Sequence, residues 1–487
     1  MSNGKSGPEL PILAPLDFDP PSNGEFVPLP PTALGRRRWE MWREIVERQH
    51  LRLGLTRRAF AESACGLAAW LFVIDQTACD SKGGAVATPS PDAGMPSDAS
   101  GYDVQPSMMQ DLAQAREALS GNNFVFDVQT HVVAPETPWT GAPPDRILDY
   151  IKLMFAESDT TVACLSGIPA TRNDGLQSPQ ARAQLQELVE RFGGSRLLFH
   201  CNTDPELPGE PDYMAMAASR YKNIAAWKSY PQNNPQGLAA DAVVGTFIQT
   251  ARDTGIKIIA SHRGLGPGGY VSSNSPLDVV QAAKKAPDLK FLVYHSGFQP
   301  GVDENHPYDP AAPAASLQGV DRFVRALEDN KLPPGSNVYA ELGTTWRSIL
   351  GMPEQAAHFL GKLLKYVGPD NVLYGTDCVM SGNPQPQIVA MRMFTIAPAL
   401  QQQHGYPELT AELKAKILGL NGARAYGIDP AKIRYVIKDD EIDKLRMALR
   451  DDPRSVPMPD RRHYRGPRTR QELFAFLRRE KTVHPLG

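Results

Sequence analysis

The chain has 487 residues, and its 51 lysines and arginines nearly balance its 54 aspartates and glutamates, which gives a formal net charge of −3. Hydrophobic residues make up 41% of the chain, an ordinary content for a globular protein. These values exclude a disordered chain, a coiled coil and a strongly basic nucleic-acid-binding protein. They allow one large domain with appendages.

The first 54 residues, 1–54, are predicted to be an extension outside the main domain. Residues 1–35 are rich in proline and glycine and hold few large apolar side chains, so we expect no fold there. Apolar residues at helical spacing then predict an amphipathic helix from Arg36 to about Leu53. These residues are Trp39, Trp42, Ile45 and Val46. The sequence leaves open whether this face packs on the protein's own body, on a membrane surface or on another protein.

Residues 55–79 resemble a twin-arginine export signal. Arg57 and Arg58 precede an apolar, alanine-rich run from Ala64 to Ile74, which is too short to span a bilayer. We therefore expect export by the twin-arginine route to the periplasm or cell envelope, with the export machinery as a partner. The alternative is a cytoplasmic protein in which this run is an ordinary helix. Cys79 is a weak candidate for lipidation, and residues 80–104 are predicted to be a linker.

Residues 105–430 are predicted to form a domain of the α/β class in which short apolar strands alternate with helices. The predicted strand runs are Phe124–His131, Thr161–Ser166, Arg196–Asn202, Ile224–Tyr230, Lys257–His262, Lys290–His295, Val338–Leu342 and Val372–Asp377. Near-continuous apolar strands at this spacing are typical of parallel sheets covered by helices. Eight units predict a (β/α)8 TIM barrel, with an open doubly wound sheet as the alternative. Residues 431–487 are expected to be a C-terminal helical tail.

Polar residues that can do chemistry follow nearly every predicted strand. They are Gln129, His131, His200, Lys228, His262, Arg263, His295, Glu341 and Asp377. A barrel gathers the carboxyl ends of all its strands around one mouth. Several histidines that converge there with a carboxylate indicate a divalent metal site rather than chance burial.

Four motifs together resemble the amidohydrolase superfamily. They are Asp127-Val-Gln-Thr-His131, Ala-Ser-His262, Val-Tyr-His295-Ser-Gly and Leu-Tyr-Gly-Thr-Asp377. The most similar branch is the amidohydrolase-related group that includes aminocarboxymuconate semialdehyde decarboxylase, and the resemblance covers about Asn123 to Tyr426. It implies one divalent metal ion, with zinc expected and manganese or iron as alternatives. It also implies that His131, His262 and Asp377 are metal ligands, and that His295, with Asp377, serves catalysis.

Gln129 departs from the pattern of that branch, in which the first strand normally ends in His-x-His. A glutamine oxygen is a weaker and harder ligand than imidazole. We include Gln129 as a candidate ligand, and expect either looser metal binding, a cation that accepts oxygen ligands, or recruitment of another group.

Five further residues are predicted to bind the substrate at the mouth. Lys228 and Arg263 are candidates to anchor an anionic group, and Trp346 is expected to form a wall of the pocket. Glu341 is either a second acid–base group or the partner of Lys228 or Arg263. His200 either lines the pocket, replaces the missing ligand or is simply packed.

These features predict a metal-dependent hydrolase or non-oxidative decarboxylase (a lyase) that acts on a small, anionic organic substrate. The expected chemistry uses a metal-bound water or a metal-held substrate oxygen. The alternative, motivated by Gln129, is an exported binding or structural protein on a decayed barrel. The expected partner is a small molecule and not a nucleic acid, and a homodimer is left open.

Overall fold

The computed structural model describes most of the chain. The described residues are 13–78, 99–134, 137–141, 146–167, 178–221, 223–230, 236–265, 274–379, 382–451 and 465–483. Cys79 and most of the predicted linker, residues 80–104, lie outside them. No helix in these ranges is long and apolar enough to cross a membrane.

Eight parallel strands form a barrel at the centre of the fold, which confirms the predicted (β/α)8 architecture. In chain order, the first to the eighth barrel strands are Val125–Thr130, Thr160–Leu165, Leu197–Asn202, Ile224–Ser229, Ile258–His262, Lys290–Tyr294, Val338–Glu341 and Val372–Leu373. Each strand pairs with its neighbours in the sequence. The barrel closes because the Asp377 amide donates to the Gln129 carbonyl at 2.9 Å and the Val128 amide donates to the Tyr374 carbonyl at 3.1 Å.

An irregularity in the first strand brings its polar end into the barrel. Phe126 and Val128 pack together in the barrel interior with apolar residues of the other strands. The pairing register with the second strand shifts between Asp127 and Thr130. Such a shift changes the face to which the following side chains point. Gln129 and His131 consequently both reach Asp377 beyond the eighth strand.

Helices cover the outside of the barrel, as expected for strands that are apolar on both faces. The α-helices that follow the barrel strands are Arg146–Ile151, Pro179–Gly193, Glu210–Arg220, Asp241–Val243, Gln249–Asp253, Leu277–Lys285, Gly319–Asn330, Thr345–Ile349, Pro353–Tyr366, Gln385–Met393, Pro398–His404 and Ala411–Ala415. Three π-helical segments continue or precede them, at Lys152–Ala156, Val244–Ile248 and Lys416–Leu420. Short antiparallel pairs join Gly101–Tyr102 to Phe394–Thr395 and Val133–Ala134 to Thr137–Gly141.

The N-terminal segment differs from its prediction. Residues 13–32 contain no helix or strand, yet Ser22 and Asn23 are buried with exposed fractions of 0% and 3%. The helix starts at Ala33 and ends at Arg52, and it packs on the protein's own body through Trp42 and Val46. The expectation of no fold before residue 36 was therefore wrong for residues 13–35, because proline-rich chain can be held by side-chain contacts without regular hydrogen bonding.

The apolar run of the signal-like segment is a buried helix. A short helix, Arg57–Ala61, carries both arginines, and the helix Ala64–Gln76 follows it. Trp70, Leu71 and Val73 are fully buried in the main core. Asp75 accepts hydrogen bonds from the backbone amide of Tyr102 at 3.1 Å, which ties this helix to the start of the barrel domain. Export stays a prediction.

The C-terminal tail is helical. The helices are Asn421–Tyr426, Pro430–Ile437, Glu441–Asp451 and Arg470–Val483. Residues 465–468, just before the last helix, contact the N-terminal segment: Arg465 Nη1 lies 2.7 Å from Asp17 Oδ1, and the Ser22 amide donates to the Pro467 carbonyl at 2.9 Å. The segment that holds Asp17 and Ser22 therefore contacts the chain just before the last helix.

Candidate active site at the barrel mouth

Asp377 lies at the centre of one group of predicted site residues. Its Oδ1 atom is 2.7 Å from His131 Nε2 and accepts a hydrogen bond from Gln129 Nε2 at 3.2 Å. Its Oδ2 atom accepts a hydrogen bond from the Thr344 hydroxyl at 2.5 Å. The exposed fractions of Gln129, His131 and Asp377 are 3%, 4% and 3%. These three residues, predicted from the sequence, therefore form one buried cluster.

His262 and His295 form a second group, and a residue from the N-terminal segment joins them. Glu25 Oε1 lies 3.1 Å from His262 Nε2, and Glu25 Oε2 lies 3.9 Å from His295 Nε2. The two imidazole rings contact each other edge to face, with 4.5 Å between their centroids. One ligand atom from each of Glu25, His262 and His295 lies within 4.8 Å of the others. This group has the composition of a metal site.

Asn23 connects the two groups. Its side-chain nitrogen donates to Glu25 Oε2 at 2.8 Å and to Asp377 Oδ2 at 2.8 Å. Both carboxylates therefore accept a hydrogen bond from the same nitrogen atom. The predicted ligands and Glu25 form one continuous cluster across the mouth.

Two of the histidines are oriented as metal-ligating histidines usually are. His131 Nδ1 lies 3.1 Å from the Ser166 carbonyl, and His295 Nδ1 lies 2.7 Å from the Gly343 carbonyl. Because a carbonyl oxygen only accepts, Nδ1 carries the proton in both rings, and Nε2 faces the cluster. Within the described residues, His295 Nε2, His262 Nδ1 and Gln129 Oε1 are buried and have no hydrogen-bond partner. These nitrogen and oxygen atoms, together with the carboxylates of Glu25 and Asp377, are of the kinds that bind a divalent cation.

The backbone is strained at the same place. His295, Thr344 and Asp377 have φ values of +63°, +53° and +62°, in the left-handed region that side chains other than glycine rarely adopt. Such a conformation costs on the order of 1–3 kcal/mol per residue and is concentrated at functional sites. The strain supports the assignment of this mouth as the active site.

The carboxylates of the cluster are held in their charged form. Burial alone would raise the pKa of Glu25, but the charges of His262 and His295 and the hydrogen bond from His262 lower it to about 2. For Asp377, His131 and His295 outweigh burial in the same way and hold its pKa well below the ordinary value. Burial, with the neighbouring His262, lowers the pKa of His295 to about 4. The charge of His295 therefore lowers the two carboxyl pKa values only in acid, and at neutral pH His295 is an uncharged base beside two anions.

Asp127 and Glu341 support the cluster from behind. Asp127 accepts hydrogen bonds from the hydroxyl and the amide of Thr376, the residue before Asp377. Glu341 accepts from the amides of His295 and Gly343 at 3.1 and 2.6 Å. Burial raises the pKa of Asp127 to about 7 and that of Glu341 to about 8. Glu341 thus fixes the backbone at His295. Lys228 does not hydrogen-bond to Glu341.

Lys228 is a buried cation in the barrel interior. Its Nζ atom is buried and has no hydrogen-bond partner among the described residues. It lies 3.6 Å from the ring centroid of Tyr294 and 4.9 Å from that of Tyr230. A buried ammonium group over aromatic faces retains donors for an anionic ligand. The geometry is compatible with the predicted substrate-binding role.

Three predicted substrate-binding residues make contacts with other parts of the protein. Arg263 pairs with Asp278 through Nε at 2.8 Å and Nη2 at 2.5 Å. Trp346 is fully buried and donates to the Gln387 carbonyl at 3.0 Å. His200 has both ring nitrogens within 3.0 Å of the hydroxyls of Tyr294 and Tyr426. Substrate binding by these three residues stays a prediction, and for His200 the contacts agree with the alternative that it is simply packed.

Sequence reasoning missed Asn23, Glu25 and Thr344. Thr344 follows the seventh strand by three residues, so the rule that polar residues at strand ends form the site would have found it. Asn23 and Glu25 lie in proline-rich chain without periodicity, about 100 residues before the first strand. No pattern in the sequence indicates that this segment returns to the mouth.

The sequence of more than half of the chain matches a known family. An amidohydrolase family model matches residues 168–428. The chain belongs to the amidohydrolase family. The fold and the ends of the strands described above agree with this membership. Comparison of the amidohydrolase with curated proteins found no match.

Solved structures with similar barrels have low sequence identity to this amidohydrolase. The 2,6-dihydroxybenzoate decarboxylase from Rhizobium is 14% identical, with a TM-score of 0.39 over 63% of this chain and 99% of that chain. The dihydroorotase from Campylobacter jejuni is 14% identical, with a TM-score of 0.37 over 63% and 84%. The 5-carboxyvanillate decarboxylase from Novosphingobium aromaticivorans, complexed with manganese and a nitrobenzoic acid, is 11% identical, with a TM-score of 0.36 over 63% and 97%. At these values the likeness does not extend to activity.

Proposed function

We propose that this amidohydrolase is a metal-dependent enzyme that hydrolyses or decarboxylates a small anionic organic molecule. The observation that carries the proposal is the orientation of His131 and His295. Both rings give their Nδ1 proton to a backbone carbonyl and turn Nε2 toward the carboxylate cluster. Histidines that bind a metal almost always donate their other ring N–H in this way.

His131, His262 and Asp377 would hold the ion, and the unpartnered Oε1 atom of Gln129 is available as a further oxygen ligand. When bound, a divalent cation supplies Lewis-acid polarisation of a carbonyl or carboxylate oxygen. Zinc suits the imidazole ligands, and manganese or iron suits the larger share of oxygen ligands. The donor types therefore support a divalent metal without selecting one.

The remaining polar groups have separable roles in this proposal. Lys228, buried and with donors to spare, binds the anionic group of the substrate. His295, neutral and with an unpartnered Nε2 atom, accepts or returns a proton at the reacting atom. Asp127 and Glu341 keep Asp377 and His295 in place through backbone hydrogen bonds. Burial of the whole cluster excludes water, which strengthens these charge interactions.

The test is a screen of the purified protein against two classes of small anion: aromatic and unsaturated carboxylic acids, and amides or lactones that carry a carboxylate. Release of carbon dioxide identifies decarboxylation, and release of acid without carbon dioxide identifies hydrolysis. The expected result is activity with one class that is lost on chelation and restored by added metal. Activity that is indifferent to chelation would contradict the proposal.

The second candidate is an exported binding or structural protein on a decayed barrel. Gln129 favours it, because its side-chain nitrogen is engaged with Asp377, and so does the presence of Asn23 and Glu25 in the mouth. Metal content separates the two candidates. A natively folded protein that binds no metal supports the binding protein, whereas one ion that is lost in the His262→Ala variant supports the enzyme.

A further inference from the structure

Glu25 reaches the active site from outside the barrel. It belongs to a short loop, residues 22–26, which we call the insertion loop. Its carboxylate contacts His262 at 3.1 Å, and its side chain is only 11% exposed. A carboxylate in so buried a position needs a cation or several hydrogen bonds to offset its desolvation. The contacts of Glu25 are with residues that the proposed function assigns to the metal and to catalysis.

Hydrogen bonds within the insertion loop and to the C-terminal region fix its conformation. Within it, the Glu25 amide donates to Asn23 Oδ1 at 3.1 Å, and the Gly24 amide donates to the Ser22 hydroxyl at 2.9 Å. Gly24 has a φ of +99°, which glycine adopts without strain. At the base of the loop, the Ser22 amide donates to the Pro467 carbonyl. The loop therefore presents Glu25 in one defined position.

The C-terminal tail holds the chain that leads into the loop. Arg465 Nη1 lies 2.7 Å from Asp17 Oδ1, and Arg465 Nη2 donates to the Ala14 carbonyl at 2.7 Å. Arg468 lies 3.2 Å from the second oxygen of Asp17. The position of Glu25 thus depends on contacts between the two ends of the chain.

Charge balance favours a second carboxylate among the ligands. His131, His262 and Asp377 offer two neutral rings and one negative charge to a cation with two positive charges. Gln129 adds no charge. The carboxylate of Glu341 faces the amides of His295 and Gly343, and that of Asp127 faces Thr376. Glu25, like Asp377, accepts a hydrogen bond from the Asn23 side-chain nitrogen. Its carboxylate therefore lies inside the cluster.

We infer that Glu25 is a metal ligand, delivered by the insertion loop, which together with His131, His262 and Asp377 binds a divalent cation and supplies the negative charge that Gln129 does not. This inference rests on the proposed function, because it requires a metal at the mouth. Glu25 lies outside the barrel, so its role as a ligand makes the N-terminal segment part of the active site. Asn23 positions the two carboxylates relative to each other.

The experiment measures metal binding rather than turnover. Wild-type protein and the Glu25→Gln variant are stripped of metal and titrated with Zn²⁺ or Mn²⁺ against a competing chelator, and bound metal is counted by elemental analysis. Glu25→Gln keeps the size of the side chain and one acceptor oxygen, removes the charge and replaces the other oxygen by an NH2 donor. The matched control is Glu44→Gln, an exposed glutamate on the helix that follows the segment. Thermal unfolding checks that all variants are folded.

The inference predicts one tightly bound ion in the wild type and in Glu44→Gln, and a dissociation constant raised by at least about 10-fold in Glu25→Gln. Even groups that only support a ligand change metal affinity by about 10- to 100-fold. Adding Gln129→His to Glu25→Gln should restore part of the affinity, because imidazole is a stronger ligand than the glutamine oxygen. X-ray absorption of the bound Zn²⁺ should show one oxygen ligand fewer in Glu25→Ala, whose side chain has no ligand atom.

Three results would overturn the inference. Equal affinity in the wild type and Glu25→Gln would leave the proposed function standing and remove Glu25 from the ligands. Tighter binding by Glu25→Gln would mean that Glu25 occupies the place of the ion as a plug. Absence of metal binding by the wild type would overturn the proposed function itself.

Discussion

His131 Nε2 lies 2.7 Å from Asp377 Oδ1, so the residue that follows the first barrel strand meets the residue that follows the eighth. The backbone hydrogen bond from Asp377 to Gln129 lies beside this contact. The site is therefore built on the seam where the barrel closes. Changes at Asp377 should affect the metal, while changes at His295, which directly follows the sixth strand, should affect a separate step.

The first prediction separates metal binding from proton transfer. Asp377→Ala should lose both metal and activity, because it removes a charged ligand and the acceptor for His131, Gln129, Asn23 and Thr344. His295→Asn should keep most of the metal and lose turnover by about 100- to 10,000-fold, the usual effect of removing a general acid or base. Elemental analysis and steady-state kinetics on both variants check this. Equal loss of metal in the two variants would make His295 a ligand.

The second prediction concerns the pH dependence of substrate binding. Burial lowers the pKa of Lys228 to about 7, so the ammonium form is present below pH 7 and is lost as the pH rises through that value. KM for an anionic substrate should therefore increase above pH 7. Lys228→Met should raise KM by about 10- to 100-fold at pH 6, the equivalent of about 1.5–3 kcal/mol for a hydrogen bond to a charged group, and should flatten the pH profile.

The exposed Lys284 supplies the control for this prediction. Lys284→Met should leave both KM and its pH profile unchanged. A Lys228→Met variant with a wild-type KM across pH 6–8 would rule out Lys228 as the anion anchor.

The third prediction concerns stability away from the site. Lys362 is fully buried and pairs with Glu304 and Asp321, each at 2.7 Å. Lys362→Met would leave both carboxylates buried without their cation, and should destabilise the fold by about 3–5 kcal/mol. Denaturant unfolding of this variant and of Lys365→Met, an exposed position on the same helix, checks it. Similar unfolding midpoints for the two variants would disprove the role of the buried triad.

The fourth prediction tests export. If Arg57 and Arg58 are read by the twin-arginine machinery, replacement of both by lysine should retain the protein in the cytoplasm. The fold should persist, because lysine keeps the charge beside Glu47 and Glu62. The control replaces Arg36 and Arg37, another pair of consecutive arginines, by lysine. It should not alter localisation. Cell fractionation gives the result, and equal distribution of both variants and the wild type would show that the pair is not a signal.

The barrel could be predicted from the sequence because its signal is local and repeated. Each of the eight predicted apolar runs contains an observed strand or most of it. The predicted eighth run, Val372–Asp377, is the least regular, since pairing as a strand ends at Leu373 and Asp377 adopts a positive φ. That departure from strand geometry is where the site forms, and strand propensity alone does not predict it.

The composition of the site was only partly predictable. A barrel places the carboxyl ends of its strands side by side. The grouping of His131, His262, His295 and Asp377 could therefore be predicted from their positions at the ends of strands. Position at the end of a strand does not indicate the structural partners of a side chain: Asp278, the partner of Arg263, comes from the following helix, and Tyr426, a partner of His200, comes from the C-terminal region. Glu25 could not be found, since its proximity arises from long-range contacts between the chain ends. Such contacts leave no periodic trace in a single sequence.

The central claim is that the mouth of this barrel holds one divalent metal ion, and the most direct test is the metal content of the wild-type protein purified without chelators. Elemental analysis is compared with the His262→Ala variant prepared in the same way. We predict about one equivalent of a divalent ion in the wild type and a strongly reduced content in the variant. A folded wild-type protein without stoichiometric metal, or a variant that retains the full amount, would contradict this account.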